Sequence, residues 1–192
     1  MGTIVVTENA TLDGVIEQVG DWFSPAGGDT GADDSDIVAT LREQMEPQAA
    51  LLLGRKTFES FRGYWPRQTN DTTGISAHLN RVQKYVVSRK LSAPEWEHTT
   101  VLRGDPVEEV RALKARVAGE IGVTGSITLV HALVAAALVD EYRLFVYPVA
   151  VGRGRRLFEG AADVSRLELV EARPYRSGVV LLTYRPRGRP VS

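Results

Sequence analysis

The stretch Ala50-Leu51-Leu52-Leu53-Gly54-Arg55-Lys56-Thr57-Phe58-Glu59-Ser60 decides how this chain is read. Its apolar run suits a strand over Ala49–Leu53 that is buried on both faces, as in a parallel sheet covered by helices. The run stops at Gly54, which lets the backbone approach a ligand closely. Two cations and a hydroxyl follow at the start of a short helix over Thr57–Phe61. Helix starts expose free N–H groups and a partial positive charge, so a strand that ends this way suits an anion. A solvated basic turn is the plain alternative.

Two further strands end with related chemistry. Lys84–Ser88 leads into Arg89-Lys90, where Ser88 offers a hydroxyl and Arg89 a planar fork suited to a phosphate monoester. Glu120–Val123 leads through Thr124 and Gly125 into a helix predicted over Ser126–Leu138. Strand, glycine turn and helix form an arrangement that holds a pyrophosphate. The turn lacks a full G-x-G-x-x-G, and by itself it is also an ordinary strand-to-helix corner. In open α/β sheets ligands bind at the carboxyl ends of the strands. Three such turns together suit a ligand with a pyrophosphate and a separate monoester, and NADPH is the obvious candidate.

Working outward, Ile4-Val5-Val6 reads as a first strand, followed by a Gly/Asp-rich loop from Asn9 to Asp36. Asp36 reads as the cap of a helix over Ile37–Glu46 that Pro47 ends. Gly63-Tyr64-Trp65-Pro66 breaks the helix after Gly54, and another helix is predicted over Ser76–Val82. Thr99–Leu102 is a strand. Pro106 opens an amphipathic helix through Val107, Val110, Leu113 and Val117. Tyr142–Val151 reads as a long strand, and Leu167–Ala172 and Val179–Tyr184 as a closing pair. The alternation predicts a single α/β domain over residues 1–192, a three-layer sandwich around a mixed, mostly parallel sheet, with a frayed tail over 186–192.

Composition narrows the functional classes. The formal net charge of -1 gives no global field for nucleic acid or an anionic membrane, so any anion site must be local. Cysteine is absent, which removes thiolate catalysis and Cys-ligated metals and fits a reducing compartment. No apolar run approaches membrane-spanning length, and no signal peptide is read at the N-terminus. A cytoplasmic protein is the expectation. His78, His98, His131 and the scattered acids form no metal-ligand spacing, so no metal is expected.

The ordered set GRKTFES (54–60), VVSRKL (86–91), VTGSITLVHAL (123–133) and LFVYPVAVGRGRRLF (144–158) resembles the dihydrofolate reductase-like superfamily. TLDG (11–14) and SGVVLLTYRP (177–186) resemble the branch that contains the riboflavin-biosynthesis reductase domain, RibD C-terminal type. The resemblance covers residues 3 to 186. It implies that Gly54, Arg55, Lys56 and Thr57 contact cofactor phosphates, and that Ser88 and Arg89 hold the 2′-phosphate of NADPH. It implies that Thr124, Gly125, Ser126, Ile127 and Thr128 cradle the pyrophosphate, and that Val6, Thr7, Asp13 and Gly14 border the nicotinamide. Gly152 and Gly154 would pass close to cofactor or substrate. The implied activity is hydride transfer from NADPH to a small, heterocyclic or conjugated substrate, with a homodimer contact near Tyr142–Tyr147.

The sequence also departs from these relatives. Trp22-Phe23-Ser24-Pro25-Ala26-Gly27 has glycine where dihydrofolate reductases place a carboxylate, which speaks against folate reduction. Thr124 stands where riboflavin-pathway reductases carry a glutamate. Asp13 is the best candidate for a catalytic polar group, although an Asp before Gly also simply forms turns. Trp22, Phe23, Tyr64 and Trp65 could wall an aromatic pocket or serve as core. A non-catalytic, NADPH-binding regulatory module is the rival from another class.

Overall fold

Eight strands form one sheet in the order β4-β3-β2-β5-β1-β6-β8-β7 in a computed structural model, which describes residues 1–23, 33–159 and 166–187. The strands are β1 (Thr3–Thr11), β2 (Gln48–Gly54), β3 (Gln83–Val87), β4 (Thr99–Leu102), β5 (Glu120–Thr124), β6 (Glu141–Tyr147), β7 (Leu167–Pro174) and β8 (Val180–Pro186). The first six pair in parallel; β8 runs antiparallel to β6, and β7 antiparallel to β8. The helices are α1 (Ser35–Met45), α2 (Arg55–Tyr64), α3 (Ile75–Arg81), α4 (Pro106–Arg116) and α5 (Ile127–Ala135).

Alternation along β2 shows why a continuous apolar run was required. Ala50 and Leu52 join Val110 and Leu113 of α4 and Leu129, Val130 and Leu133 of α5 in one core cluster. Leu51 and Leu53 face the other way, against Phe58 of α2 and Leu79 of α3. A third cluster seats Ile37 of α1 on Phe145 and Leu181. The sheet is thus covered on both faces, the three-layer α/β sandwich expected. Each fully buried Leu or Phe contributes about 1.5–3 kcal/mol.

Several boundaries differ from the sequence reading. β1 continues through Glu8 and Asn9 to Thr11, because Glu8–Thr11 pair with Leu144–Tyr147 of β6; the polar residues had hidden that extension. β6 in turn stops at Tyr147, before Pro148, which lacks the N–H a ladder needs. α5 ends at Ala135, and Ala137 takes a positive φ of 52° just beyond it. α2 starts directly at Arg55 and runs through Gly63 and Tyr64. Asp36 is not the cap of α1. Asp34 holds that position, and the Asp36 carboxylate instead accepts hydrogen bonds from the Ile37 and Arg176 N–H groups. Pro186, placed in the frayed tail by the sequence, is the last residue of β8; residues 188–192 lie outside the described residues. So do Ser24, Pro25, Ala26, Gly27 and Asp29 of the long loop.

Candidate functional site

β3, β2, β5 and β1 are neighbours and parallel, so their carboxyl ends share one rim. Two helix N-termini meet there. Gly54 is the N-cap of α2 and Ser126 the N-cap of α5; neither helix has a side-chain cap or an acid in its first turn. They are tied to each other instead. The Gly54 N–H donates to Ser126 Oγ at 2.8 Å, and the Ser126 N–H donates to Thr57 Oγ1 at 2.9 Å. Gly125 makes this fit possible. Its φ is +56°, and a Cβ there would lie 3.1 Å from Thr57 Cγ2 and 3.3 Å from Thr57 Oγ1. Leu129 and Val130 N–H groups already donate to the Ser126 carbonyl. That leaves the amides of Arg55, Lys56 and Thr57 on α2, and of Ile127 and Thr128 on α5, without an intrahelical acceptor. Such free backbone amides are chemically able to receive an anion.

The flanking side chains divide the work. Lys56 is exposed at the rim, whereas Arg55 leans back on Glu59 of its own helix at 2.7 Å. After β3, Ser88 is buried and its Oγ accepts from the Lys90 and Leu91 N–H groups, so it shapes the turn that presents the exposed Arg89. Thr128 is exposed, and its Oγ1 accepts from Arg155 at 3.5 Å. Thr124 and Ile127 are half-buried beside the turn.

Around β1 the predicted residues separate. Val6 is fully buried in the core, so only its backbone can face a ligand, while Thr7, level with Thr124, is half-buried. Asp13 is a clip. Its carboxylate accepts from Thr11 Oγ1 at 2.6 Å and from the Val151 and Gly152 N–H groups at 3.1 and 2.9 Å. The Thr11 hydroxyl and those two amides hold its pKa down to about 2, which leaves it no proton to donate at neutral pH. Gly14 and Gly152 have φ of 82° and 72° and serve this turn. Gly154 comes close to protein: a Cβ would sit 2.8 Å from Val15 Cγ1.

The four aromatic candidates also part company. Trp65 is buried with Phe58, Leu79 and Trp96, and Tyr64 packs edge-on against it, so both belong to the core beneath α2 and α3. Trp22 and Phe23 remain together and meet Tyr147 edge-on at 5.6 and 5.7 Å between ring centres. Burial pushes the Tyr147 hydroxyl up to about 12, so it stays protonated. As a partner of Trp22 and Phe23, Tyr147 went unnoticed in the sequence, because it looked like one more residue of an apolar strand.

Glu8 was also missed. It occupies a core-facing position of β1, between Val6 and Ala10, and is 4% exposed. The signal was available: a lone acid in register with Ile4, Val6 and Ala10. Burial raises its pKa well above the carboxylate range, and a hydrogen bond from the Gly125 N–H offsets part of that rise. A cavity of about 270 Å³ lies elsewhere, and its Glu141, Arg143, Glu171, Arg173 and Arg185 are ion-paired within the protein.

Residues 2–181 match the RibD C-terminal domain. The chain belongs to that family. An uncharacterized protein of Bacillus subtilis (strain 168), YyaP, is 31% identical over 141 residues, covering 72% of this chain and 74% of its own. Among solved structures, a putative riboflavin biosynthesis protein from Shewanella sp. PV-4 superimposes with a TM-score of 0.72 at 18% identity, covering 96% of this chain and 99% of its own. Dihydrofolate reductase from Enterococcus faecalis, complexed with NADP(H) and RAB-propyl, gives 0.64 at 18% identity and 96% coverage of both. At these identities the two structures establish a dihydrofolate reductase-like fold for this RibD C-terminal domain. Among its described residues no helix is long and apolar enough to cross a membrane.

Proposed function

We propose that this RibD C-terminal domain is an NADPH-dependent reductase acting on a small, heterocyclic or conjugated molecule. The observation that carries the reading is the pair of uncapped helix N-termini, cross-tied through Gly54, Thr57 and Ser126. Those residues fit a dinucleotide: two helix N-termini with orphan first-turn amides are tied side by side, and the missing side chain of Gly125 leaves room for Thr57 against the turn. The first-turn amides of α2 and α5 would hold the pyrophosphate, with Lys56 adding charge. Arg89 would take the 2′-phosphate through its planar fork. NADPH supplies the hydride; the reduced substrate atom pair is completed by one proton. Trp22, Phe23 and Tyr147 form an aromatic wall suited to a flat ring, and Asp13 holds the 151–152 segment in place. A contact between two copies would suit the edge strand β7, where Leu169 and Val170 are 52% and 47% exposed, better than β6, which lies inside the sheet.

The rival, a module that binds the dinucleotide without turnover, is favoured by one observation: the Asp13 carboxylate is ionised and fully engaged. Folate reduction finds no support in α1, whose first-turn acid Asp36 is bound to Arg176.

A fluorescence titration with NADPH and NADH tests the site. Binding of NADPH in preference to NADH is expected. Arg89→Ala should weaken NADPH about 10- to 100-fold, the worth of a charged hydrogen-bonded contact of about 1.5–3 kcal/mol, and leave NADH nearly unchanged. Equal losses for both nucleotides reject the 2′-phosphate role. Steady NADPH consumption against a panel of conjugated heterocycles separates the reductase from the binding module.

A further inference from the structure

Glu8 remains unexplained by packing. It is a carboxyl in an apolar layer, 4% exposed, and its Oε1 has no hydrogen-bond partner. A buried polar atom left unsatisfied is costly, and such atoms in native folds call for a functional explanation. Its position supplies one. Thr7 pairs with Thr124 at the end of β5, so Glu8 stands one residue further up beside Gly125, whose N–H donates to its carboxyl. Leu129 and Val130, from the first turn of α5, belong to the same core layer as Val6 and Ala10. The carboxyl therefore lies beside the turn that leads into the first residues of α5, Ile127 and Thr128.

The charged groups on the surrounding elements are occupied with one another. On the turn after β1, Glu17 pairs with Arg155 and Asp13 with Arg156. On α5, His131 bonds the Arg156 carbonyl, and Glu159 accepts from the Arg156 N–H. On α4, Lys114 pairs with Asp140. Among the described residues, no cation pairs with Glu8.

We propose that Glu8 is a positioning residue for phosphate binding: an uncharged, buried acceptor that sets the Gly125–Ser126 turn and must stay uncharged for an anion to settle on α5. This rests on the dinucleotide reading above. An acid near a helix N-terminus ordinarily occupies the place of an anion. A carboxylate beneath the turn would hold Gly125 more tightly and repel the phosphate through a water-free layer, where charge is poorly screened. A neutral carboxyl supports the turn without competing.

The test measures NADPH affinity and thermal midpoint for wild type, Glu8→Gln and Glu8→Leu. Glu8→Gln keeps a neutral acceptor and is expected within about threefold of wild type at neutral pH. Glu8→Leu removes the acceptor and the orphan oxygen together, so its midpoint should hold or rise while affinity falls about tenfold or more. The ratio of wild-type to Glu8→Gln dissociation constants should also climb as pH rises, because position 8 can ionise only in the wild type. Unchanged affinity in Glu8→Leu, affinity lost only in step with stability, or a flat ratio overturns the role of Glu8. A wild type that ignores NADPH altogether overturns the dinucleotide reading and this inference with it.

Discussion

Two kinds of helix start occur in this protein, and they differ in what they leave undone. α4 is complete in itself. Asp105 caps it by accepting from the Val107 and Glu108 N–H groups, and Glu108 and Glu109 in the first turn answer its dipole. α2 and α5 have neither cap nor acid, and each borrows from the other: Ser126 Oγ takes the Gly54 N–H, and Thr57 Oγ1 takes the Ser126 N–H. All three follow a strand in the same parallel array. On the reading proposed above, a chain that caps α4 so fully yet leaves α2 and α5 open side by side would keep those amides for a ligand. The contrast matters more than any single turn, since a strand-to-helix corner by itself is an ordinary structural feature.

The sharpest way to break the comparison is to fill the space between the open pair. Gly125→Val places a branched side chain at φ +56° and into contact with Thr57. NADPH affinity in the folded variant should drop about 100-fold or more, since backbone strain and blockage act together; an undiminished titration would reduce the turn to a structural corner. Cutting the ties without adding bulk is milder. Thr57→Val with Ser126→Ala removes two hydrogen bonds of about 1 kcal/mol each, so affinity should fall about tenfold or somewhat more. Fluorescence titration reads both.

Glu8 sharpens the contrast through pH. Its folded pKa stands above the ordinary 4.5, so the protonated form is the one that folding prefers. That stability is fully present below 4.5 and is lost as pH rises toward the folded value. Glu8→Gln carries no such loss, so thermal midpoints of variant and wild type should diverge in favour of the variant as pH increases. Parallel midpoint curves would mean that the carboxyl is solvated after all. The smallest effect belongs to the closed helix. Asp105→Ala should cost about 1 kcal/mol, a few degrees in thermal midpoint for a domain of this size, and leave NADPH affinity untouched.

Much of the architecture was legible because parallel sheets covered on both faces demand continuous apolar strands, and Leu51–Leu53 and Ile121–Val123 meet that demand. Errors fell where tertiary pairing overrode local pattern. Asn9 read as the start of a loop, and Glu8 as no part of a strand, until β6 supplied partners for them. Asp36 looked like a cap, yet its carboxylate serves the Arg176 backbone far along the chain. For the candidate site, the open turns at Gly54 and Gly125 were visible as glycine between strand and helix. The partnership of Tyr147 with Trp22 and Phe23 was not, because no local pattern links residues that meet only when β6 docks beside β1.

The order of residues alone determined the class of fold, the position of the rim and the identity of the turns on it, since apolar periodicity and glycine placement act within a few residues. Tertiary structure decided everything that depends on who faces whom. It joined Thr57 to Ser126, turned Asp13 from a candidate acid into a fully bonded clip, and sank Trp65 into the core. It also buried the Glu8 carboxyl in an apolar layer, which raises its pKa. Solvent exclusion and hydrogen-bond partners are properties of the assembled layers, and they set both the protonation of a side chain and the groups left free to meet a ligand.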